Sequence, residues 1–415
     1  MDEALEQSKK QDNVHFIYAV DTGGQAAFLD IAPALLRYNS VNIVTHKLDE
    51  ALEDETAFYY NINDKQYGAS IRRGLTNEQV LECSIRSLAS INPPEPFEGI
   101  EVLHPKELED TDGENKPCFI VIGTFKDKVT DPRSLLKSKN EKLKKVLLGF
   151  SNNAHILQYK NDALIFPVNT LGRSSQEQEI ADDIRHKICE SYMEARIPRK
   201  WFLFQLKLNE ESKMKGGILK KSVCDAIGAK LSLTPRDVNS ALKFFHHLTA
   251  LLYFPDIIGD TVFLDSQPLF EKLSKLIAVS FAVDADYYEA LGIDFKNKMA
   301  HDNMKNKGIF DNSLLKDISF QFMEFNYESF LKLLESLQVI IQLPETQTET
   351  YFLPCVLATA NSFKLEELKQ EFSKKTDPFV LKWKERVIPQ GLYCGLVLRL
   401  LQEEAIGSEC FIDVK

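Results

Sequence analysis

A chain of 415 residues is too long for one hydrophobic core, and with 44% hydrophobic and 27% charged residues it is not wholesale disordered, so two or three domains are expected. Its net charge of −11 repels nucleic-acid backbones and anionic membranes, yet leaves room for a nucleotide in a pocket where backbone N–H groups and a metal ion supply the positive field. Seven cysteines, an odd number without a C-x-x-C pair, argue against a zinc ribbon or a disulfide framework; together with a polar N-terminus and no apolar run of membrane-spanning length, they point to a soluble, cytoplasmic protein.

Residues 14–20 form a short apolar run ending at Asp21-Thr22-Gly23-Gly24-Gln25, and a helical pattern follows with Phe28, Leu29, Ile31, Leu35 and Leu36 on or near one face. A second apolar run covers 41–48. The long polar stretch after it holds a helix over 76–88, with Thr76 as N-cap and Gln79 as its capping-box partner. Residues 93–117 are rich in Pro, Glu, Asp and Gly and read as a solvated loop. The run Phe-Ile-Val-Ile-Gly at 119–123 has the composition of a strand buried on both faces of a parallel sheet. A lysine-rich helix over 137–145 follows, interleaved with Leu143, Val146 and Leu147 as on an ordinary solvated helix face. Another buried strand over 164–168 and a charged helix through Tyr192 complete the series. Strand, helix, strand, helix predicts an α/β fold with a parallel sheet.

The character changes at Ile197-Pro198-Arg199-Lys200-Trp201. Further on, Thr234 is a natural N-cap, Pro235 suits the first helical position, and Asp237 favours the positive helix end. That helix runs through Leu248 and leads to a strand at 251–254, a turn at 255–260 and a strand at 262–264. The same order recurs as a helix at 327–337, a strand at 339–343, a turn at 344–349 and a strand at 351–355. Helix, strand, turn, strand is the recognition-helix-plus-wing layout of a winged helix, here predicted twice. A strand at 379–384 and a helix at 391–401 follow, and the last run, 410–414, reads as cut off in mid-domain.

Three short motifs carry the chemistry. Asp21, after a buried strand, would hold Mg2+ through water; the N–H of Gly24 would meet a γ-phosphate where no side chain fits, and Gln25 would orient an attacking water. By itself the pattern is equally that of a tight strand-to-helix turn. Thr124-Phe125-Lys126-Asp127 ends the next strongly apolar strand; there Asp127 would accept the guanine N1–H and N2–H pair, which adenine cannot offer. The plainer alternative is an Asp and a Lys solvating a strand end. After the following strand, Asn169-Thr170-Leu171 sits where a backbone N–H would meet the guanine O6. All three lie at carboxyl ends of strands, where open α/β sheets bind ligands. The G-x-x-x-x-G-K-[ST] phosphate loop is absent: none of the eighteen glycines is followed by lysine. Too few residues precede Asp21 for that loop and its strand, so the sequence is expected to begin inside the domain and to bind GTP weakly or not at all.

With these motifs in this order, the chain resembles the Roc-COR family, whose members include leucine-rich-repeat kinases and death-associated protein kinase. The carrying residues are the segments at 21–25, 121–127 and 197–201, then His247-Leu248-Thr249-Ala250-Leu251-Leu252-Tyr253-Phe254, Tyr351-Phe352-Leu353-Pro354-Cys355-Val356-Leu357 and Ile388-Pro389-Gln390-Gly391-Leu392-Tyr393. The resemblance implies a partial Ras-like Roc domain over 1–196, without phosphate loop and switch I. It implies winged-helix COR units over 197–285 and 286–360, and a β-rich COR part over 361–415. It implies a regulatory module that forms homodimers through COR, with GTP or GDP and Mg2+ as cofactors if a phosphate loop is supplied upstream. Asp21, Gly24, Thr124, Asp127, Asn169 and Thr170 would then bind nucleotide, Asp21 would hold Mg2+ through water, and Gln25 would be catalytic.

Departures accompany the likeness. Thr124-Phe125 replaces the usual Asn-Lys, Thr249 or Ala250 stands where the family has a small residue, and Asp21 and Asp127 are farther apart than in a minimal Ras domain. The excess falls in the polar stretches at 50–74 and 93–117, as loop insertions do. Two other functions fit parts of the pattern. One is a pseudo-GTPase scaffold, whose α/β domain serves only as a packing surface. The other is a winged-helix nucleic-acid binder using Arg236, Lys243, His246 and His247, which the acidic chain and the apolar Leu242, Phe244 and Phe245 disfavour.

Overall fold

The computed structural model describes residues 41–56, 59–62, 65–68, 75–89, 100–103, 116–147, 154–191, 194–280, 285–292, 298–317, 326–343, 349–357 and 392–403. The run at 14–20, the motif at 21–25 with its helix, the strand expected at 379–384 and the run at 410–414 lie outside the described residues.

The N-terminal half is α/β. Its elements are β1 (Val41–Lys47), β2 (Tyr59–Ile62), β3 (Lys65–Gly68), α1 (Asn77–Ala89), β4 (Glu101–Leu103), β5 (Cys118–Thr124), α2 (Pro132–Leu147), β6 (His155–Ile156), β7 (Ile165–Pro167), α3 (Ser175–Ser191) and β8 (Glu194–Arg196). β5 is central: it runs parallel to β1 on one side and to β6 and β7 on the other. Its residues alternate between faces. Phe119 and Val121 pack with Leu81 and Ile85 of α1 and Leu143 of α2, while Cys118 and Ile120 pack with Ile184 and Ile188 of α3. Helices therefore cover both faces, which is why β5 reads as an unbroken apolar run. The α1 start is the expected capping box: Thr76 N–H donates to Gln79 Oε1 at 2.9 Å, and Gln79 N–H donates to Thr76 Oγ1 at 3.3 Å.

The two polar insertions are not simply solvated. β2 and β3 form an antiparallel hairpin, and its Tyr67 is buried with its ring edge-on to Tyr287, centroids 5.1 Å apart. β4 pairs antiparallel with β8, and the adjacent Ile100 is buried in the cluster of Trp201 and Phe204. At 100–103 this corrects the reading of a solvated loop over 93–117. A three-residue strand is too short to show a period of two within an acidic, Pro-rich stretch.

The C-terminal half contains α4 (Arg199–Lys213), β9 (Ile218–Lys220), α5 (Lys221–Lys230), α6 (Pro235–His247), β10 (Leu252–Tyr253), α7 (Pro255–Ile258), β11 (Thr261–Phe263), α8 (Gln267–Val279), α9 (Ala285–Ala290), α10 (Lys298–Lys307), β12 (Ile309–Asp311), α11 (Asn312–Asp317), α12 (Tyr327–Ser336), β13 (Ile341–Gln342), β14 (Thr350–Phe352) and α13 (Leu392–Gln402). Two three-stranded antiparallel sheets result, ordered β10-β11-β9 and β13-β14-β12. In each, helix, strand, helix, helix, strand, strand folds so that the last strand lies between the other two, the first unit adding the short α7 between its last two strands.

The equivalence extends to single residues. Leu264 N–H donates to Gly217 O and Leu353 N–H to Gly308 O, both at 2.8 Å, closing the same edge of each unit. The helices α6 and α12 end alike. Thr249 (φ 58) follows α6 and Gln338 (φ 55) follows α12, each in the left-handed region. The next amide reaches back five residues, Ala250 to Phe245 and Val339 to Leu334, at 2.9 Å each. The α6 start is as expected: Thr234 and Asp237 form a reciprocal capping box with Pro235 in the first turn.

Among the described residues, no helix is long and apolar enough to cross a membrane.

Candidate functional site

The parallel register brings the strand ends together: Lys47 lies opposite Thr124, and Gly123 opposite Pro167. Beyond β5 the chain turns sharply. Phe125 adopts φ 56 and ψ 35, and Lys126–Lys128 form a single 3-10 turn. A non-glycine residue in the left-handed region is held there by its surroundings. Here Thr124 O accepts Leu48 N–H at 2.9 Å, Thr124 Oγ1 donates to His46 O at 3.4 Å, and Lys128 pairs with Asp49 at 3.6 Å. Phe125 is partly exposed, with the Lys128 ammonium 4.1 Å from its ring centroid. Asp127 is exposed and, among the described residues, has no hydrogen bond or ion pair.

The second turn follows β7. Val168 N–H donates to Gly123 O at 2.7 Å, which sets this turn beside the first. Asn169 Oδ1 accepts the N–H groups of Leu171 and Gly172 at 3.0 and 3.1 Å. A Cβ at Gly172 would come within 2.9 Å of Asn169 Nδ2, so a side chain there would have to displace Asn169. Leu171 is 85% exposed.

One carboxylate joins the two turns. Glu177, in the first turn of α3, accepts Lys126 Nζ at 2.6 Å on Oε1 and Asn169 N–H at 3.0 Å on Oε2, and the ion pair is largely buried. Burial pushes its pKa up, but the hydrogen bonds from Lys126 and Asn169 outweigh that and hold it below the ordinary value. Asn169 N–H is thereby occupied, whereas Thr170 N–H has no hydrogen bond among the described residues. Sequence reading missed Glu177. The available signal was Ser174-Ser175-Gln176-Glu177, a capping-box spacing. Only half of that box forms: Ser174 Oγ accepts Glu177 N–H at 3.3 Å, while the carboxylate turns to Asn169 and Lys126 instead.

A second missed element lies at the end of β1. Lys139 of α2 is 3% exposed, its Nζ 2.8 Å from His46 Nε2 and also donating to Glu50 O. The lysine-rich helix is therefore not solvated all round; this lysine props the 47–50 segment against which Thr124 rests. Burial, aided by the Lys139 charge, pushes His46 down to about 4. Burial likewise lowers the pKa of Lys139. Of the sequence candidates, Thr124, Asp127, Asn169 and Thr170 are brought to one end of the sheet; Asp21, Gly24 and Gln25 lie outside the described residues.

No family model matches the sequence. Over 194 residues it is 27% identical to "Probable serine/threonine-protein kinase roco11" of Dictyostelium discoideum, covering 44% of this chain. This similarity supports a relationship to the Roc-COR family. The chain spans 12% of the length of that curated relative. Among solved structures, a chain described as Methanosarcina barkeri Roco2 RocCORdC bound to GDP aligns at 14% identity with a TM-score of 0.35, covering 76% of this chain and 95% of that one. Of Thr249 and Ala250, Thr249 is the one in the left-handed region, where glycine is the unstrained choice.

Proposed function

We propose that this chain is a Roc-COR-type regulatory module whose α/β domain carries the base-recognising end of a guanine-nucleotide site, followed by two winged-helix COR units that dimerise. One observation carries the nucleotide reading: Thr124–Asp127 and the Asn169–Gly172 turn are tied together by Val168, Lys126 and Glu177 at the carboxyl end of a parallel sheet. Asp127 selects guanine through its N1–H and N2–H, and the second turn offers an N–H to O6. Asp21 would assist Mg2+, Gly24 the γ-phosphate and Gln25 the attacking water. The winged-helix reading is supported by the shared strand order of the two sheets. The division at 196/197, 285/286 and 360/361 goes with it.

These 415 residues contain no G-x-x-x-x-G-K-[ST] loop, so at micromolar concentrations the polypeptide binds GTP weakly or not at all, and base recognition is expected only at millimolar nucleotide. Titration with a fluorescent GTP tests this; a micromolar or tighter Kd overturns it. Light scattering tests the dimer, and a monomer at tens of micromolar counts against the COR reading. The same missing loop favours a second reading, a pseudo-GTPase scaffold, which predicts no guanine-selective binding even at millimolar nucleotide. Nucleic-acid binding is disfavoured: Leu242, Phe244 and Phe245 turn α6 into the core, and the chain is acidic. A soluble, cytoplasmic setting completes the reading.

A further inference from the structure

We infer that Glu177 is a positioning residue for guanine recognition, acting through the Asn169 peptide and the Lys126 side chain. This rests on the nucleotide reading above. Its spacing from Ser174 is that of a capping box, in which the Glu carboxylate returns to the cap's own N–H. Here that return is not made. Ser174 still caps the helix through Oγ, and both carboxylate oxygens are committed elsewhere, Oε1 to the turn that carries Asp127 and Oε2 to the turn that carries Thr170.

Two consequences follow for a bound base. Lys126 immediately precedes Asp127, so anchoring its ammonium in a largely buried ion pair fixes the backbone from which the Asp127 carboxylate projects. Occupying Asn169 N–H leaves Thr170 N–H as the turn's available donor, so the site offers one acceptor group and one donor at fixed separation. Guanine presents that pattern as N1–H and N2–H beside O6; adenine presents an amino donor where guanine has O6, and its N1 bears no hydrogen. Glu177 touches no base atom and acts by holding the two turns in register.

The test uses the whole 415-residue chain with millimolar GDP, XDP and ADP, read by saturation-transfer NMR, with melting temperature measured in parallel. Asp127→Asn reports on the nucleotide reading itself and is expected to move preference from GDP to XDP. Glu177→Ala is expected to weaken GDP at least tenfold and to erode the GDP-over-ADP preference; the Ser174 cap remains, but melting temperature also falls because Lys126 loses its ion-pair partner. Glu177→Gln, which keeps an acceptor for Asn169 N–H, is expected to recover part of the affinity, and Lys126→Met to lose part. If Asp127→Asn switches preference while Glu177→Ala binds GDP within twofold of the parent, the positioning role is wrong and the nucleotide reading stands. If Glu177→Ala loses melting temperature and binding together, and Gln restores neither, its role is only structural. If the parent chain does not bind GDP, or Asp127→Asn changes nothing, the nucleotide reading falls and takes this inference with it.

Discussion

The ammonium of Lys139 stands 2.8 Å from Nε2 of His46. A donor so placed makes that ring nitrogen the acceptor, so the imidazole is neutral with its proton on Nδ1. The pair braces the end of β1 beneath the segment on which Thr124 rests.

This arrangement predicts a pH dependence. His46 falls from an ordinary 6.5 to about 4 in the folded chain. Between these values the unfolded chain takes up a proton that the folded one does not. The contribution is complete above pH 6.5, is lost progressively as pH falls towards 4, and changes no further below. A shift of that size corresponds to roughly 3 kcal/mol. Urea unfolding from pH 7.5 to 4.5 should show the slope, and His46→Gln should flatten it. An equal slope in that variant would falsify the assignment.

Thr249 is a β-branched residue at φ 58, and its buried Oγ1 has no hydrogen-bond partner among the described residues. Left-handed backbone costs a non-glycine residue roughly 1–2 kcal/mol. Thr249→Gly should therefore stabilise the chain by about 1 kcal/mol, once the extra freedom of glycine in the unfolded state is subtracted. A shift of the denaturation midpoint downward would contradict this.

Gly292 and Gly308 share nearly the same backbone, φ 65 and 66, but not the same surroundings. A Cβ at Gly292 meets nothing within 4 Å, whereas at Gly308 it would lie 2.7 Å from Leu353 O. Gly292→Ala should cost only the backbone term, about 1 kcal/mol. Gly308→Ala should cost at least about 1 kcal/mol more, because a backbone oxygen must move. Equal losses in parallel denaturation curves would mean that the Gly308–Leu353 closure yields easily.

The reciprocal cap of α6 gives a smaller effect. Removing the Thr234 hydroxyl in Thr234→Ala leaves Asp237 N–H without its acceptor at 3.2 Å. The expected loss is about 1 kcal/mol, with Thr234→Ser close to the parent. Hydrogen exchange in the first turn of α6 should rise in the Ala variant alone.

The sequence by itself determined the α/β character of the first half, because β5 is buried on both faces and so reads as an unbroken apolar run. It also determined the helix starts at Thr76 and Thr234, where the cap is a contact over three residues. It placed Thr124, Asp127, Asn169 and Thr170 as candidates, since strand ends follow from apolar runs. Only the tertiary structure decided that Glu177 leaves its own helix cap to join the two turns, and that Lys139 turns inward to His46. Only it revealed that Tyr67 and Ile100, inside polar insertions, are buried against the C-terminal half. Each is a contact between residues far apart in sequence, selected by which groups the packed chain leaves in reach, and no local periodicity records that.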